Sequence, residues 1–273
     1  MRGERSFRPF ALRLPQPPLV RWLAGLAAVG AVLGIWWFLT RGATPETRLV
    51  SPALLPSLSE VFRSAPSLIS ERGLGASIFS TLRRLFLGFG LAMLIGVPLG
   101  MLAGMYRIVD AGAAPMALLG RNIPVAALSP LTMLWFGIDE MQKVMFIFIA
   151  TAPFVFTEAA RAVINVQERF VETAVTVGAK SRHVITKVLI PMSLPDIYES
   201  NLNLFGLAFG YIMLAELVNA GTGLGYLLSV SQRRGPPEHI FLILVVIGIL
   251  AWAIFQVGQF FGRGLFPYRN VKE

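Results

Sequence analysis

The sequence predicts an all-α integral membrane protein with about six transmembrane helices, and three observations lead there. Charged residues make up only 14% of the 273 positions, where a soluble domain carries roughly a quarter. Hydrophobic residues make up 55%, and the mean hydropathy is +0.66. These apolar residues come in long blocks rather than in the short alternations of a β-protein. Several blocks reach the length of about 20 residues that a helix needs to cross a hydrocarbon layer about 30 Å thick.

The elements follow in order. A basic tail, 1–21, with Arg2, Arg5, Arg8, Arg13 and Arg21, precedes the first span at 22–40. That apolar run is longer than the core of a secretory leader and no A-x-A site follows. It therefore reads as an uncleaved span with a cytoplasmic N-terminus. An external segment, 41–75, has Leu58, Val61, Phe62, Ala65 and Ile69 near helical spacing, as in a short amphipathic helix lying at the outer surface. The second span is expected at 82–106. In it Gly88, Ala92, Gly96, Gly100 and Gly104 recur every four residues, a small-residue ridge that lets two helix backbones approach closely in lipid.

The third span, Ala114 to Ile138, contains Arg121, Asn122, Pro124 and Pro130. Irregular backbone at that depth is tolerated only where protein or a watery cavity covers it. After a turn at 137–143 come the fourth span (144–161), a basic segment, the fifth span (199–218), a loop over 219–239 and the sixth span (240–262). Of the 24 Lys and Arg, 14 fall on the proposed inner side, 7 outside, and three (Arg83, Arg84, Arg121) within spans. This is the positive-inside bias, and it places both termini in the cytoplasm. Six spans leave one membrane domain and no room for a separate soluble catalytic domain. The net charge of +9 is accounted for by these loops. Nucleic-acid binding is set aside, because no basic patch is interleaved with aromatics.

Single residues carry further expectations. Glu216 is an acid at membrane depth, and structural and pathway readings stand side by side. Arg121 either attracts an anion in a translocation path or snorkels to the inner surface. Arg83 and Arg84 are expected at the headgroups, and Asp139 and Glu140 in solvent. Asn201, Asn203, Gln256 and Gln259 are candidates for bonds between helices. His183 and His239 are placed on opposite sides of the membrane. There is no Cys, so thiolate metal sites and a Cys nucleophile are excluded. No H-E-x-x-H, no G-x-S-x-G and no phosphate-binding G-x-x-x-x-G-K-[ST] occurs, so the parts of a metalloprotease, a serine hydrolase and an ATPase are missing. No cofactor or metal is expected.

The basic segment is "ETAVTVGAKSRHVITKVLIPMSLP", Glu172 to Pro195. Upstream and into it, Val166, Phe170, Ala174 and Val177 form one apolar stripe on a short helix. Gly178 suits the left-handed position that ends it. Ser181 can cap a second helix with Val184, Ile185, Val188 and Leu189 on one face and Arg182 and Lys187 turned away. Pro191 and Pro195 are expected to stop that helix and start a new direction. Two short helices with apolar faces need a cover: either a soluble partner's groove, or phospholipid headgroups on which the hairpin lies.

This segment resembles the EAA loop of permease subunits in bacterial ABC importers, where E-A-A, three residues, G, nine residues and I-x-L-P recur. Glu172, Ala174, Gly178 and Pro191 fall on that frame without a gap. Thr173 stands for the second Ala, Val188 for Ile and Ile190 for Leu. "STLRRLFLGFGLAMLIGVPLGMLAG", "RNIPVAALSPLTMLWFGIDEMQKV" and "AELVNAGTGLGYLL" look like segments of the nitrate/sulfonate/taurine branch, so the likeness covers about Ser59 to Tyr268. It implies a type I ABC importer permease (MetI-like) core over 76–268, with 269–273 a cytoplasmic tail, in the bacterial inner membrane. It also implies a homodimer with a second permease copy, a cytoplasmic ABC ATPase dimer that binds the ATP, and an extracytoplasmic substrate-binding protein. The solute would be a small anion such as sulfonate, taurine, nitrate or bicarbonate. Coupling residues would be Glu172, Ala174, Gly178, Val184, Ile185, Val188 and Pro191. Pathway candidates are Arg121, Asn122, Glu216 and Asn201. The rival is an ATP-independent transporter or channel, which would need paired broken helices in an inverted repeat.

Overall fold

The computed structural model describes residues 17–42, 47–218 and 220–270. Arg2, Arg5, Arg8, Arg13 and Lys272 of the charge argument, and Asn219, lie outside them. All regular structure among the described residues is helical. The chain divides into two units, Met1–Ser64 and Ala65–Glu273.

In the first unit, α1 (Pro18–Thr40) starts with Pro in its first turn, where a missing N–H costs nothing. It is apolar all round, with Trp22, Leu26 and Val32 more than half exposed, as a helix bathed in lipid would be. Trp36 Nε1 donates to the Pro56 carbonyl at 2.9 Å. α2 (Leu58–Arg63) is shorter than the single amphipathic helix expected over this stretch, because it ends at Ser64. It opens on a full capping box: Glu60 N–H reaches Ser57 Oγ while the Glu60 carboxylate accepts from Ser57 N–H. Arg48 grips the same carboxylate with two bonds, 3.0 and 2.7 Å.

The second unit is built on α3 (Ala65–Ser70), α4 (Leu74–Met105), α5 (Arg107–Asn122), α6 (Val125–Phe136), α7 (Glu140–Ile164), α8 (Glu168–Thr176), α9 (Ser181–Val184), α10 (Ile190–Leu217), α11 (Leu224–Arg234) and α12 (Pro237–Leu265). α4 starts eight residues before the expected boundary, at Gly73, whose φ of +65° turns the chain into the helix. The small-residue ridge packs as expected. A Cβ on Gly88 would lie 2.6 Å from the Val144 carbonyl oxygen, and one on Gly104 2.6 Å from that of Ala160. Because contacts advance together, Gly88 with Val144 and Gly104 with Ala160, α4 and α7 run parallel. Their backbones touch where any side chain would hold them apart.

α10 closes the core from the other side. Leu85, Phe89 and Ala92 of α4, Phe146, Ile147 and Ala150 of α7, and Phe205, Ala208, Phe209 and Ile212 of α10 bury one another. The Phe89 and Phe205 rings meet edge to face at 5.4 Å.

The expected third span is two helices, α5 and α6, bent by 102°. Pro124 causes the break: the preceding Ile123 is extended at ψ 126°, as a residue before proline prefers to be. Among the described residues, four helices are long and apolar enough to cross a membrane, or five with the bent pair as one span. α10 is not among them by composition, although its 28 residues give a length of about 42 Å. Its polar residues Asn201 and Glu216 are buried inside the protein, so its sequence is not that of a lipid-facing helix.

Candidate functional site

The basic segment forms an elbow. α8 runs from Glu168 to Thr176, and Gly178, with φ +82°, ends it in the left-handed conformation. Gly178 N–H donates to the Val175 carbonyl and Ala179 N–H to that of Ala174, both at 2.9 Å. This is the paired closure of a Schellman motif, which glycine adopts at the lowest backbone cost. Val166, Phe170 and Ala174 are half-buried. Val177, assigned to the same stripe, instead stands 80% exposed, beside Val175 at 57%. Glu172 is exposed and sits in the middle of α8; Glu168 occupies the first turn. Favourable placement at a helix start therefore belongs to Glu168 rather than to Glu172.

The second half of the elbow differs from expectation. Ser181 does not cap α9. Lys180 holds the cap position, and no side chain bonds to it. Val184 is buried, and Ile185 and Val188 are half-buried. Pro191 and Pro195 do not stop the helix either. From Ser181 the chain stays helical through one π turn, Ile185–Leu189, directly into α10. The wider turn is where Pro191 would otherwise press its ring on the Lys187 carbonyl four residues back. There the Ile190 N–H reaches back five residues to the Ile185 carbonyl. Pro195 in turn leaves the Pro191 carbonyl without an intrahelical donor, and the Tyr268 hydroxyl donates to it at 2.8 Å. α9, the second half of the elbow, and the fifth predicted span thus form one rod.

The far end of that rod is tied by an ion-pair knot. Arg84, expected at headgroups, is 1% exposed. Its Nη1 donates to Glu216 Oε1 and to the Thr222 carbonyl, both at 2.7 Å, and its Nε to Glu140 Oε2 at 2.8 Å. Glu140 is therefore not simply solvated; Arg83 also donates to it, at 2.9 Å. Glu216, fully buried, accepts from the Thr81 hydroxyl and the Gly225 N–H at 2.9 Å each, while Leu224 N–H donates to Thr81 Oγ1. The carboxylate and hydroxyl thus receive the orphan N–H groups at the start of α11. A Cβ on Gly225 would lie 2.7 Å from both the Met213 carbonyl oxygen and Glu216 Cβ. That explains a glycine in "GTGLG" beside the acid.

The other pathway candidates are not gathered with these. Asn122 is exposed and bonds to the Leu118 carbonyl. Asn201 Nδ2 donates to the Ile197 carbonyl within its own helix, not between helices, and its Oδ1 is buried without a partner among the described residues. Arg121 lies over the Phe154 ring, 5.0 Å from its centroid. Sequence reasoning missed the knot because Arg84 and Glu216 are 132 positions apart. The tight glycine pattern after Glu216 was the one local trace of it. Lys143, assigned to an outside turn, is also buried, with Nζ on the Ile138 and Asp139 carbonyls at 3.1 and 3.3 Å.

Comparison with known proteins agrees with this architecture. The family model of the binding-protein-dependent transport system inner membrane component matches residues 96–267. A probable ABC transporter permease protein of Brucella melitensis is 33% identical, covering 82% of this chain and 87% of that relative. The taurine transport system permease protein of Escherichia coli is 27% identical, over 87% of this chain and 86% of its own. An inward-facing structure of the MetNI methionine ABC transporter superposes with a TM-score of 0.60 at 23% identity, covering 70% of this chain and 95% of that one; it shares the type I permease fold. Matched through α4–α12, this multi-pass membrane chain belongs to the family of binding-protein-dependent transport system inner membrane components, the permease subunits of ABC importers.

Proposed function

We propose that the chain passes a small anion across the bacterial inner membrane and is driven through the α8–α9 elbow by a cytoplasmic ABC ATPase dimer. An extracytoplasmic binding protein delivers the solute, and a second copy of the chain completes the pathway. ATP stays with the ATPase. The relative named for taurine, a sulfonate, suggests the solute class. One observation carries the coupling: the elbow presents uncovered apolar side chains, Val175 and Val177, on the short helix that Gly178 locks. From Ser181 on, the same segment stays helical into α10, whose other end is held by the Arg84–Glu216 pair. A push on α8, passed through the hydrogen-bonded Gly178 closure, is then delivered along the 28 residues of α10, about 42 Å of helix. Two packed arrangements of α10 against α4 and α7, differing by a few kcal/mol, would be the states that nucleotide switches.

The test is capture of the ATPase by tagged, membrane-inserted permease. Val177→Asp changes an exposed side chain and leaves the local backbone intact, so it should lower capture by roughly tenfold or more, the effect of a charge placed in an apolar contact. Gly178→Val should do the same by forcing a β-branched residue to positive φ. Full capture and coupled transport by both variants would refute the coupling role of the elbow.

A further inference from the structure

α5 and α7 line a cavity of about 570 Å³ between them. Its walls are Leu118 and Phe156 among other apolar groups, with Asp110 and Arg161 at one end and Arg121 toward the other. Gly120 packs on Pro153, and Arg121 stacks on Phe154. Phe154 stands ten residues before the end of α7 at Ile164, which is about 15 Å along the helix axis. On the expected fourth span, 144–161, this places the guanidinium within the hydrocarbon layer, about 30 Å thick.

A cation at that depth ordinarily pairs with an acid or a carbonyl. Arg121 has neither among the described residues. Asp110 is on the same helix, eleven residues away, or about 16 Å, beyond the reach of both side chains. Arg161 at the mouth has Glu158 at 3.4 Å, so that acid is already engaged. Phe154 covers one face of the guanidinium and leaves its edge N–H groups, the fork that binds oxyanions in a bidentate way, for another ligand. The guanidinium edge is therefore open to a ligand in the cavity.

Resting on the reading of this chain as an anion permease, we infer that the α5–α7 cavity is the anion's intramembrane binding site, reached from the α8 end of the bundle. Arg121 is its ligand, and a sulfonate- or nitrate-like oxyanion is its occupant.

The absence of Cys allows a direct test on the full permease in nanodiscs, with no ATPase present. Thr157→Cys places a single thiol on the cavity wall, one turn from Phe154. Its modification rates by 2-sulfonatoethyl and 2-(trimethylammonio)ethyl methanethiosulfonate are compared, each corrected for its rate on a free thiol. The expected result is a preference of roughly tenfold for the anionic reagent, as focusing by a charged cleft gives. Adding Arg121→Gln should abolish the preference, adding Arg121→Lys instead should retain part of it, and methanesulfonate should slow the anionic reagent at constant ionic strength. Equal rates, no reaction with either reagent, or a preference that survives Arg121→Gln would overturn the inference. Such a failure alongside intact loss of ATPase capture in Val177→Asp would leave the coupling reading standing.

Discussion

Arg84 and Glu216 show how much one buried pair can organise. Arg84 joins the start of α4 to α7 through Glu140 and to α10 through Glu216, and its contact with Thr222 pins the loop before α11. Removing one partner of such a pair leaves an uncompensated buried charge, at a cost of about 3–5 kcal/mol, whereas replacing both with apolar groups is often close to neutral. Arg84→Met and Glu216→Leu should therefore each lower the thermal midpoint of the purified permease strongly. The double variant should be no worse than the milder single one. Additive losses in that cycle would mean the two side chains are not coupled. Apart from the glycines after Glu216, nothing in the local sequence announces the pair, because the partners meet only after α4 and α10 have packed. "LRR" at a span boundary looks like ordinary headgroup anchoring until the acid 132 positions away comes into view.

At the scale of elements, α2 shows how local chemistry sets a short helix. The Arg48 guanidinium bonded to Glu60, assisted by the Ser57 N–H, pulls the Glu60 carboxyl from its ordinary 4.5 down to about 2. A group depressed on folding adds stability that is fully present above its unfolded value and is lost as pH falls through the folded one. Hydrogen exchange at the start of α2 should therefore rise as pH is lowered from about 4.5 toward about 2, after correction for intrinsic rates. Glu60→Gln should remove that dependence, and an unchanged profile in the variant would show that another group titrates. Legibility differed between elements for physical reasons. The glycine ridge of α4 was readable because close helix approach needs small residues at fixed spacing. The Gly178 closure was readable because a left-handed residue is a local requirement. The fate of Pro191 and Pro195 was not, since a π turn and the Tyr268 hydroxyl together supply what the two prolines withhold, and one of those lies 77 positions downstream.

Across the second unit, the parallel pair α4–α7 forms a stiff spine and α10 lies against it as a lever, anchored at one end by the knot and emerging at the other as the elbow. The composition of the whole chain gave the membrane class directly. Two of the expected spans are not simple apolar helices: α10 buries Asn201 and Glu216 inside the protein, and α5–α6 is broken at Pro124. The proposed coupling requires α8, α9 and α10 to move together. Paired spin labels test it in the thiol-free chain, using Thr173→Cys with Leu207→Cys from α8 along the rod and Thr173→Cys with Leu94→Cys across to α4, in complex with the ATPase proposed as its partner, with and without trapped ATP. The distance along the rod should stay within about 2 Å while the distance to α4 changes by about 5 Å, the scale of one helical turn of sliding. A rod distance that changes as much as the distance to α4, or an α4 distance that does not change at all, would contradict the lever.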